Sequence, residues 1–184
     1  MKELSLNILD IAMNSVKAGA TTISIVLTED EKFFKMEISD DGCGMKKEFL
    51  ERVTDPFATT RTTRNVGLGL PFLKLAAEQT GGRMEITSRH IDEFPTNHGT
   101  VTLAIFDKTS IDFTPLGDII SSLVTLIQGS PQIRWIFSHT MSENSVTLDT
   151  SELTAVLGDV PLDTPEVISW IRESLAEEYG IMRN

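Results

Sequence analysis

The chain has 184 residues, 40% of them hydrophobic, and a formal net charge of −11 at pH 7. This length and balance indicate a soluble globular protein with one or two small cores. No run approaches the roughly 18 apolar residues that a membrane helix requires, and the polar start does not predict a signal peptide. We therefore expect a cytoplasmic protein that does not enter a membrane.

The negative charge is concentrated in the second part of the chain. Residues 1–109 contain 13 Lys/Arg and 16 Asp/Glu, a net of −3, whereas residues 110–184 contain 3 and 11, a net of −8. An acidic surface repels a phosphate backbone, so direct binding of nucleic acid by the second part is disfavoured.

Helical and strand patterns alternate along the first part of the chain. Periodicity and turn signals predict the following segments: a helix over 3–18, strands over 22–28 and 32–39, a short helix over 46–53, a lid over 54–66, a helix over 68–80, and strands over 83–88 and 100–106. Helices and strands segregated in this way predict an α+β fold, a two-layer α/β sandwich with helices over one face of a mixed sheet.

The pattern changes beyond about residue 108. It predicts a helix over 116–128, a β-hairpin of strands over 133–138 and 145–148, and helices over 151–157 and 164–179. We therefore predict a domain over 1–108 and a small acidic α+β extension over 109–184, to which no motif attaches a role.

Two polar residues interrupt the apolar stripe of the first helix. Asp10 and Asn14 are four residues apart and share one helix face. An Asn amide oxygen can ligate Mg²⁺, and a carboxylate can orient a water or a hydroxyl. An ordinary exposed helix face would give the same pair.

Two glycine-containing segments lie at junctions between elements. Asp40 ends a strand, and its carboxylate could accept a hydrogen bond from the exocyclic amine of a flat ligand. Gly42 and Gly44 follow, where the backbone could pass close to that ligand. Gly67 and Gly69 open a helix whose N–H groups can face phosphates. A tight acidic turn and plain turn chemistry are the alternatives for each segment alone.

Taken together, these segments resemble the Bergerat-fold ATPases of the gyrase, Hsp90, histidine kinase and mismatch-repair superfamily. Residues 10–21 resemble the N box, especially that of mismatch-repair ATPases, and 40–44 resemble the box that holds adenine. The segments closest to the lid and helix of histidine kinases are 55–60, 67–70 and 81–86, and Gly99-Thr100 matches the adenine side of the final strand. The resemblance covers about residues 4–106.

The resemblance implies ATP and Mg²⁺ as ligands, with Asn14 holding the metal and Asp10 as the catalytic base. The cofactor-binding residues that it implies are Asn14, Lys17, Asp40, Gly42, Gly44, Phe57, Thr59, Thr60, Arg61, Gly67, Leu68, Gly69, Leu70 and Thr100. Hydrolytic members usually have Glu at the position of Asp10, which is one methylene shorter, and this shorter reach disfavours activation of water.

The resemblance leaves three functions open. Our leading hypothesis is transfer of the γ-phosphoryl group to a separate partner protein, since only three residues precede the first helix and we expect no phosphoacceptor hairpin there. We interpret His90, His98 and His139 as ordinary surface residues. The alternatives are an ATP hydrolase that drives conformational change and forms a homodimer, and a non-catalytic adaptor that senses ATP.

Overall fold

The computed structural model describes residues 3–55 and 68–182. The elements are α1 (Leu4–Lys17), β1 (Thr22–Glu29), β2 (Phe33–Asp40), α2 (Lys47–Leu50), α3 (Gly69–Gln79), β3 (Arg83–Arg89), β4 (Gly99–Asp107), α4 (Ile119–Gly129), β5 (Arg134–Met141), β6 (Asn144–Asp149), α5 (Thr150–Leu157) and α6 (Pro165–Met182). The mixed α+β composition confirms the predicted fold class. None of the helices in these two ranges is long and apolar enough to cross a membrane.

The six strands form one sheet in the order β3-β4-β2-β1-β5-β6. Strand β5 runs parallel to β1, and the other neighbouring strands are antiparallel. The sheet therefore crosses the boundary predicted at residue 108, because β5 and β6 come from the acidic second part. The division into two domains stays a prediction.

The core lies on one face of this sheet. In β1 the buried residues Ile23 and Ile25 alternate with less buried ones, and they lie opposite the buried Trp135 and Phe137 of β5. Side chains with a period of two share one face of a strand. Helices α3, α1, α4 and α6 contact one another in that order, and α3, α1 and α6 also contact the strands. They form the second layer of the sandwich.

Three helix bounds differ from the predicted ones. Helix α4 begins at Ile119 rather than at 116, because Gly117 has a φ of +75° and Asp118 caps the helix by accepting from the Ser121 N–H at 2.9 Å. Helix α6 continues to Met182, whose side chain is buried. Helix α2 is a single turn.

Candidate functional site

Helix α1 presents three of the predicted ligand residues along one stripe. Asp10, Asn14 and Lys17 are spaced by four and three residues, so their side chains project from the same side of the helix. Asp10 and Lys17 are exposed, and Asn14 is half-buried. The opposite stripe is buried in the core and includes Leu4, Ile8, Ile11 and Ala12. The polar stripe is therefore accessible while the helix is held against the sheet.

Asp40, at the end of β2, is oriented by two hydrogen bonds. Its Oδ2 accepts from the Ser15 hydroxyl at 2.5 Å, and its Oδ1 accepts from the Gly42 N–H at 2.9 Å. The half-buried carboxylate thus connects β2 to α1. Ser15 was not singled out from the sequence, because its only local signal is that of a small polar residue on the buried stripe of an amphipathic helix, where it is 4% exposed.

The next residue, Asp41, has a different role. It accepts hydrogen bonds from the Thr21 N–H, the Thr21 hydroxyl and the Thr22 N–H at 2.5 to 2.9 Å. Burial by itself would raise the pKa of the Asp41 carboxyl, but these hydrogen bonds outweigh it and hold that pKa below its ordinary value. Asp41 therefore anchors the loop to the start of β1, whereas Asp40 bonds to Ser15 of α1 and to Gly42.

The glycines of this loop are required by contacts within the protein. A Cβ on Gly42 would lie 2.9 Å from the Ala18 Cβ, and one on Gly44, which has a φ of +69°, would overlap the Arg89 carbonyl. Real Cβ contacts are longer, so the loop packs on the end of α1 and against β3 only because both residues lack a side chain. Contact of Gly42 and Gly44 with a ligand stays a prediction.

The final strand of the predicted site lies beside Asp40. Thr100 of β4 is the register partner of Asp40, and its hydroxyl is 2.9 Å from the Ser88 hydroxyl. Gly99 has a φ of +137°, and a Cβ there would overlap the Asp40 carbonyl. Thr100, which the resemblance predicts to lie beside adenine, is therefore next to Asp40 in the structure.

The start of α3 lies against Asp10. A Cβ added to Gly69 would be 3.1 Å from the Asp10 Cβ and 3.6 Å from its Oδ2. The first N–H groups of a helix have no partner within it and carry a partial positive charge. Leu68 is exposed, whereas Leu70 is buried in the core. Five further predicted residues lie outside the described ranges: Phe57, Thr59, Thr60, Arg61 and Gly67.

One buried amide near this site was not singled out from the sequence. Asn7 lies three residues before Asp10 and is 1% exposed. Neither its amide oxygen nor its amide nitrogen has a hydrogen-bond partner among the described residues. An unsatisfied buried polar group costs about 1 to 3 kcal/mol. Asn7 is therefore a locally unfavourable residue on the edge of the polar stripe of α1.

The site residues fall within one family match. The family model for histidine kinase-, DNA gyrase B- and HSP90-like ATPases matches residues 1–110, which is more than half of the chain. The chain belongs to this ATPase family. The ATPase domain implies ATP binding, and it contains α1, the end of β2, the start of α3 and Thr100. The resemblance stated from the sequence is confirmed.

Curated relatives match part of this chain. Sporulation kinase A of Bacillus subtilis is 31% identical over 108 residues, which are 59% of this chain and 16% of that protein. The sensor protein KdpD of Clostridium acetobutylicum is 32% identical over 94 residues, and the sensor protein SrrB of Staphylococcus aureus is 33% identical over 93 residues. Each of these two matches covers 48% of this chain, and 10% and 16% of the respective relative. The match thus spans a small share of each relative.

Two solved structures align with this chain, and the first of them shows a similar fold. The N-terminal domain of a DNA repair protein aligns with a TM-score of 0.54 at 16% identity, over 85% of this chain and 57% of that chain. The catalytic domain of the histidine kinase ThkA aligns with a TM-score of 0.42 at 20% identity, over 57% of this chain and 66% of that chain. The first alignment shows that the fold likeness continues beyond the family match at residue 110.

Proposed function

We propose that the chain binds Mg–ATP in the cleft between α1, the end of β2 and the start of α3, and that it transfers the γ-phosphoryl group to a separate protein. The observation that carries this proposal is the convergence on one helix: Ser15 holds Asp40, and Asp10 lies against Gly69. Ser15 and Asp10 of α1 thereby connect the carboxylate that we propose to recognise the base with the N-terminus of α3.

The Asp40 end of the cleft suits adenine. An ionised carboxylate can accept about four hydrogen bonds, and Asp40 uses one on each oxygen for Ser15 and Gly42. The remaining capacity would accept the exocyclic amine of adenine. Guanine presents an acceptor at that position, which a fixed carboxylate would repel, so we expect ATP to bind in preference to GTP.

The Asp10 end suits the phosphates. Ser15 and Asp10 are separated by five residues, or about 8 Å along the helix axis. Asn14 lies between them, where its amide oxygen would ligate Mg²⁺. The described residues contain no cluster of three or more His, Cys, Asp or Glu that could hold a metal. Asn14 still fits, because Mg²⁺ at nucleotide sites commonly has one or two protein ligands and otherwise binds phosphates and water.

Asp10 would serve as the base for transfer. The bond between the γ-phosphorus and its bridging oxygen breaks, the acceptor atom of the partner protein forms the new bond, its proton moves to Asp10, and ADP leaves. Phosphoryl transfer depends mainly on positioning and charge neutralisation, so a short carboxylate is sufficient. Magnesium, when bound, would neutralise phosphate charge. The matched relative in Bacillus subtilis is itself named a kinase.

Calorimetry tests the binding step. We expect ATP with Mg²⁺ to bind more tightly than GTP, and Asp40→Asn to reduce ATP affinity at least tenfold because an amide presents a donor to the adenine amine. The matched control is Asp112→Asn, which makes the same change at an exposed loop residue. Equal affinities of the Asp40 and Asp112 variants would contradict the placement of adenine.

Labelled nucleotide tests the transfer step. ATP labelled at the γ-phosphate is incubated with cell extract and either the wild type, Asp10→Asn or Asp112→Asn. We expect label on a discrete extract protein that requires Asp10 but not Asp112. Release of free phosphate alone would favour the hydrolase alternative, and tight ATP binding without turnover would favour the ATP-sensing adaptor; either result would contradict transfer.

A further inference from the structure

A cavity lies in the acidic second part of the chain, separate from the proposed ATP site. It has a volume of about 300 Å³ and is bounded by β5, β6, α5 and α6. Strand β1 separates these strands from β2 and β4, which carry Asp40 and Thr100. None of the described residues predicted for ATP binding lines this cavity, which we call the C-terminal groove. It belongs to elements for which the proposed function has no use.

The groove has an apolar interior. Its floor is formed by Phe137, Ile171 and Leu175, which are at most 2% exposed. Trp170 lines the groove but is 54% exposed, whereas the only other tryptophan, Trp135, is 2% exposed. Partly exposed aromatic side chains at pockets are enriched in protein interfaces and often dominate the binding energy. An apolar group entering the groove would cover Trp170.

The charges around the groove are negative. Glu152 and Glu178 both line it, and neither forms an ion pair within the described part of the chain. The third carboxylate, Asp149, is already bonded to the Arg134 guanidinium at 3.1 and 2.6 Å. The net charge of −8 over residues 110–184 has the same sign. This field opposes an acidic or phosphorylated ligand and favours a cationic one.

The volume of the C-terminal groove and the hydrogen bonding of the edge strand β6 indicate how a ligand would be recognised. A volume of about 300 Å³ is at the lower limit of ligand pockets, so the groove accommodates a side chain or two rather than a large cofactor. Although β6 is an edge strand, the Thr147 N–H is directed at the Glu178 carboxylate at 3.4 Å. This contact disfavours addition of a further strand at that point. Recognition through side chains is the mode that remains.

We propose that the C-terminal groove binds a short basic segment of a partner protein. One apolar side chain of the segment enters the groove beside Trp170, and flanking Lys or Arg side chains pair with Glu152 and Glu178. Charge complementarity selects this occupant. The apolar floor is bordered by three carboxylates, whereas the one guanidinium beside them, that of Arg134, pairs with Asp149 and also interacts with Glu152, so the net charge at the groove is negative. The interaction is independent of ATP binding, so it can be tested without nucleotide.

Fluorescence of the full chain tests this proposal. The probe is the blocked peptide Lys-Lys-Phe-Lys-Lys, with Lys-Lys-Ser-Lys-Lys and Glu-Glu-Phe-Glu-Glu for comparison. We expect a saturable change in Trp170 emission with the first peptide, at least tenfold weaker binding of the serine peptide and none of the acidic one. Trp170→Phe should abolish the emission change, because the remaining Trp135 is buried. Calorimetry with the same peptides provides a readout that does not depend on tryptophan.

Charge variants complete the test. Glu152→Gln combined with Glu178→Gln should weaken binding three- to tenfold, since partly exposed ion pairs contribute modestly. Glu177→Gln is the matched control on the same helix, because this exposed neighbour does not line the groove; it should change affinity less than twofold. Absence of saturable binding in calorimetry, equal binding of the serine peptide, equal weakening by Glu177→Gln, or tighter binding of spermidine than of the peptide would each overturn the proposal.

Discussion

On the β3-β4-β2 side of the sheet, Asp10, Asn14 and Asp40 have oxygens that are open to a ligand, whereas on the β1-β5-β6 side His139 and Tyr179 are buried and bonded to each other. His139 Nδ1 is 2.8 Å from the Tyr179 hydroxyl. The first arrangement leaves hydrogen-bonding capacity for a nucleotide, and the second uses it within the protein. The two ends of one sheet therefore differ in how much side-chain hydrogen-bonding capacity the protein itself uses.

The buried pair belongs to a longer network at the end of β1. His139 Nε2 is 3.0 Å from a Glu29 oxygen, and the other Glu29 oxygen is 2.7 Å from Lys108 Nζ. His139 is 2% exposed, so our interpretation of it as a surface residue is wrong. The strand pairing buries it, because its register partner in β1 is the core residue Leu27. The network joins α6 to the sheet.

We expect the largest change in the free energy of unfolding from replacing a glycine on the ATP-binding side of the sheet, and a small change of opposite sign from replacing one in α6. Gly99→Ala should lower the free energy of unfolding by about 3 to 5 kcal/mol, because its φ of +137° disfavours a side chain and the Cβ would overlap the Asp40 carbonyl. Gly180→Ala, in α6 with no atom within 4 Å of the added Cβ, should instead raise it by about 0.5 to 1 kcal/mol. Urea unfolding measures both. Similar effects of the two substitutions would contradict the contrast between the regions.

The buried network predicts the next largest effect. Tyr179→Phe removes the hydroxyl that bonds His139, and we expect a loss of about 1 to 2 kcal/mol in the free energy of unfolding with ATP affinity within twofold of wild type. Ser169→Ala is the control, because it removes an exposed hydrogen bond to Glu173 on the same helix and should cost less than about 0.5 kcal/mol. A tenfold loss of ATP affinity in Tyr179→Phe would show that the network also serves the cleft.

Replacing Asn7 in α1 should stabilise the protein, whereas Tyr179→Phe should destabilise it. This amide has no hydrogen-bond partner among residues 3–55 and 68–182, so replacing it with Leu, which has a similar size, should raise the free energy of unfolding by about 1 kcal/mol. Urea unfolding of Asn7→Leu checks the sign, and Leu6→Asn, at an exposed position of the same helix, controls for helix propensity. Destabilisation by Asn7→Leu would mean that the amide has a favourable role in the folded state.

The sequence predicted the helices and strands of both parts, and the structure brings Thr100 beside Asp40 and Gly69 beside Asp10, while a shared ligand site stays a prediction. These predictions depend on local periodicity, turn residues and the order of known motifs. It did not predict the parallel pairing of β5 with β1, because register between distant strands leaves no local pattern. For the same reason Ser15 could not be identified as the partner of Asp40, and two adjacent aspartates could not be assigned different roles.

We expect the smallest change in the free energy of unfolding from breaking the ion pair between Arg134 and Asp149, on the β1-β5-β6 side of the sheet. The Arg134 guanidinium, which donates hydrogen bonds to Asp149, holds the pKa of that carboxyl well below its ordinary value. A lowered folded-state pKa stabilises the protein above the unfolded pKa of about 3.9, and this contribution disappears as the pH falls toward the folded value.

Asp149→Asn should therefore lower the free energy of unfolding by about 0.5 to 1 kcal/mol at pH 7, a small value because Arg134 is half-exposed. Asn retains the cap of α5, in which the side chain of residue 149 accepts from the Ser151 N–H, so the change isolates the charge. Urea unfolding from pH 7 to pH 3 should show the difference from wild type shrinking below about pH 4. Asp112→Asn should show no such convergence, and a difference that stays constant with pH would contradict the ion pair as its cause.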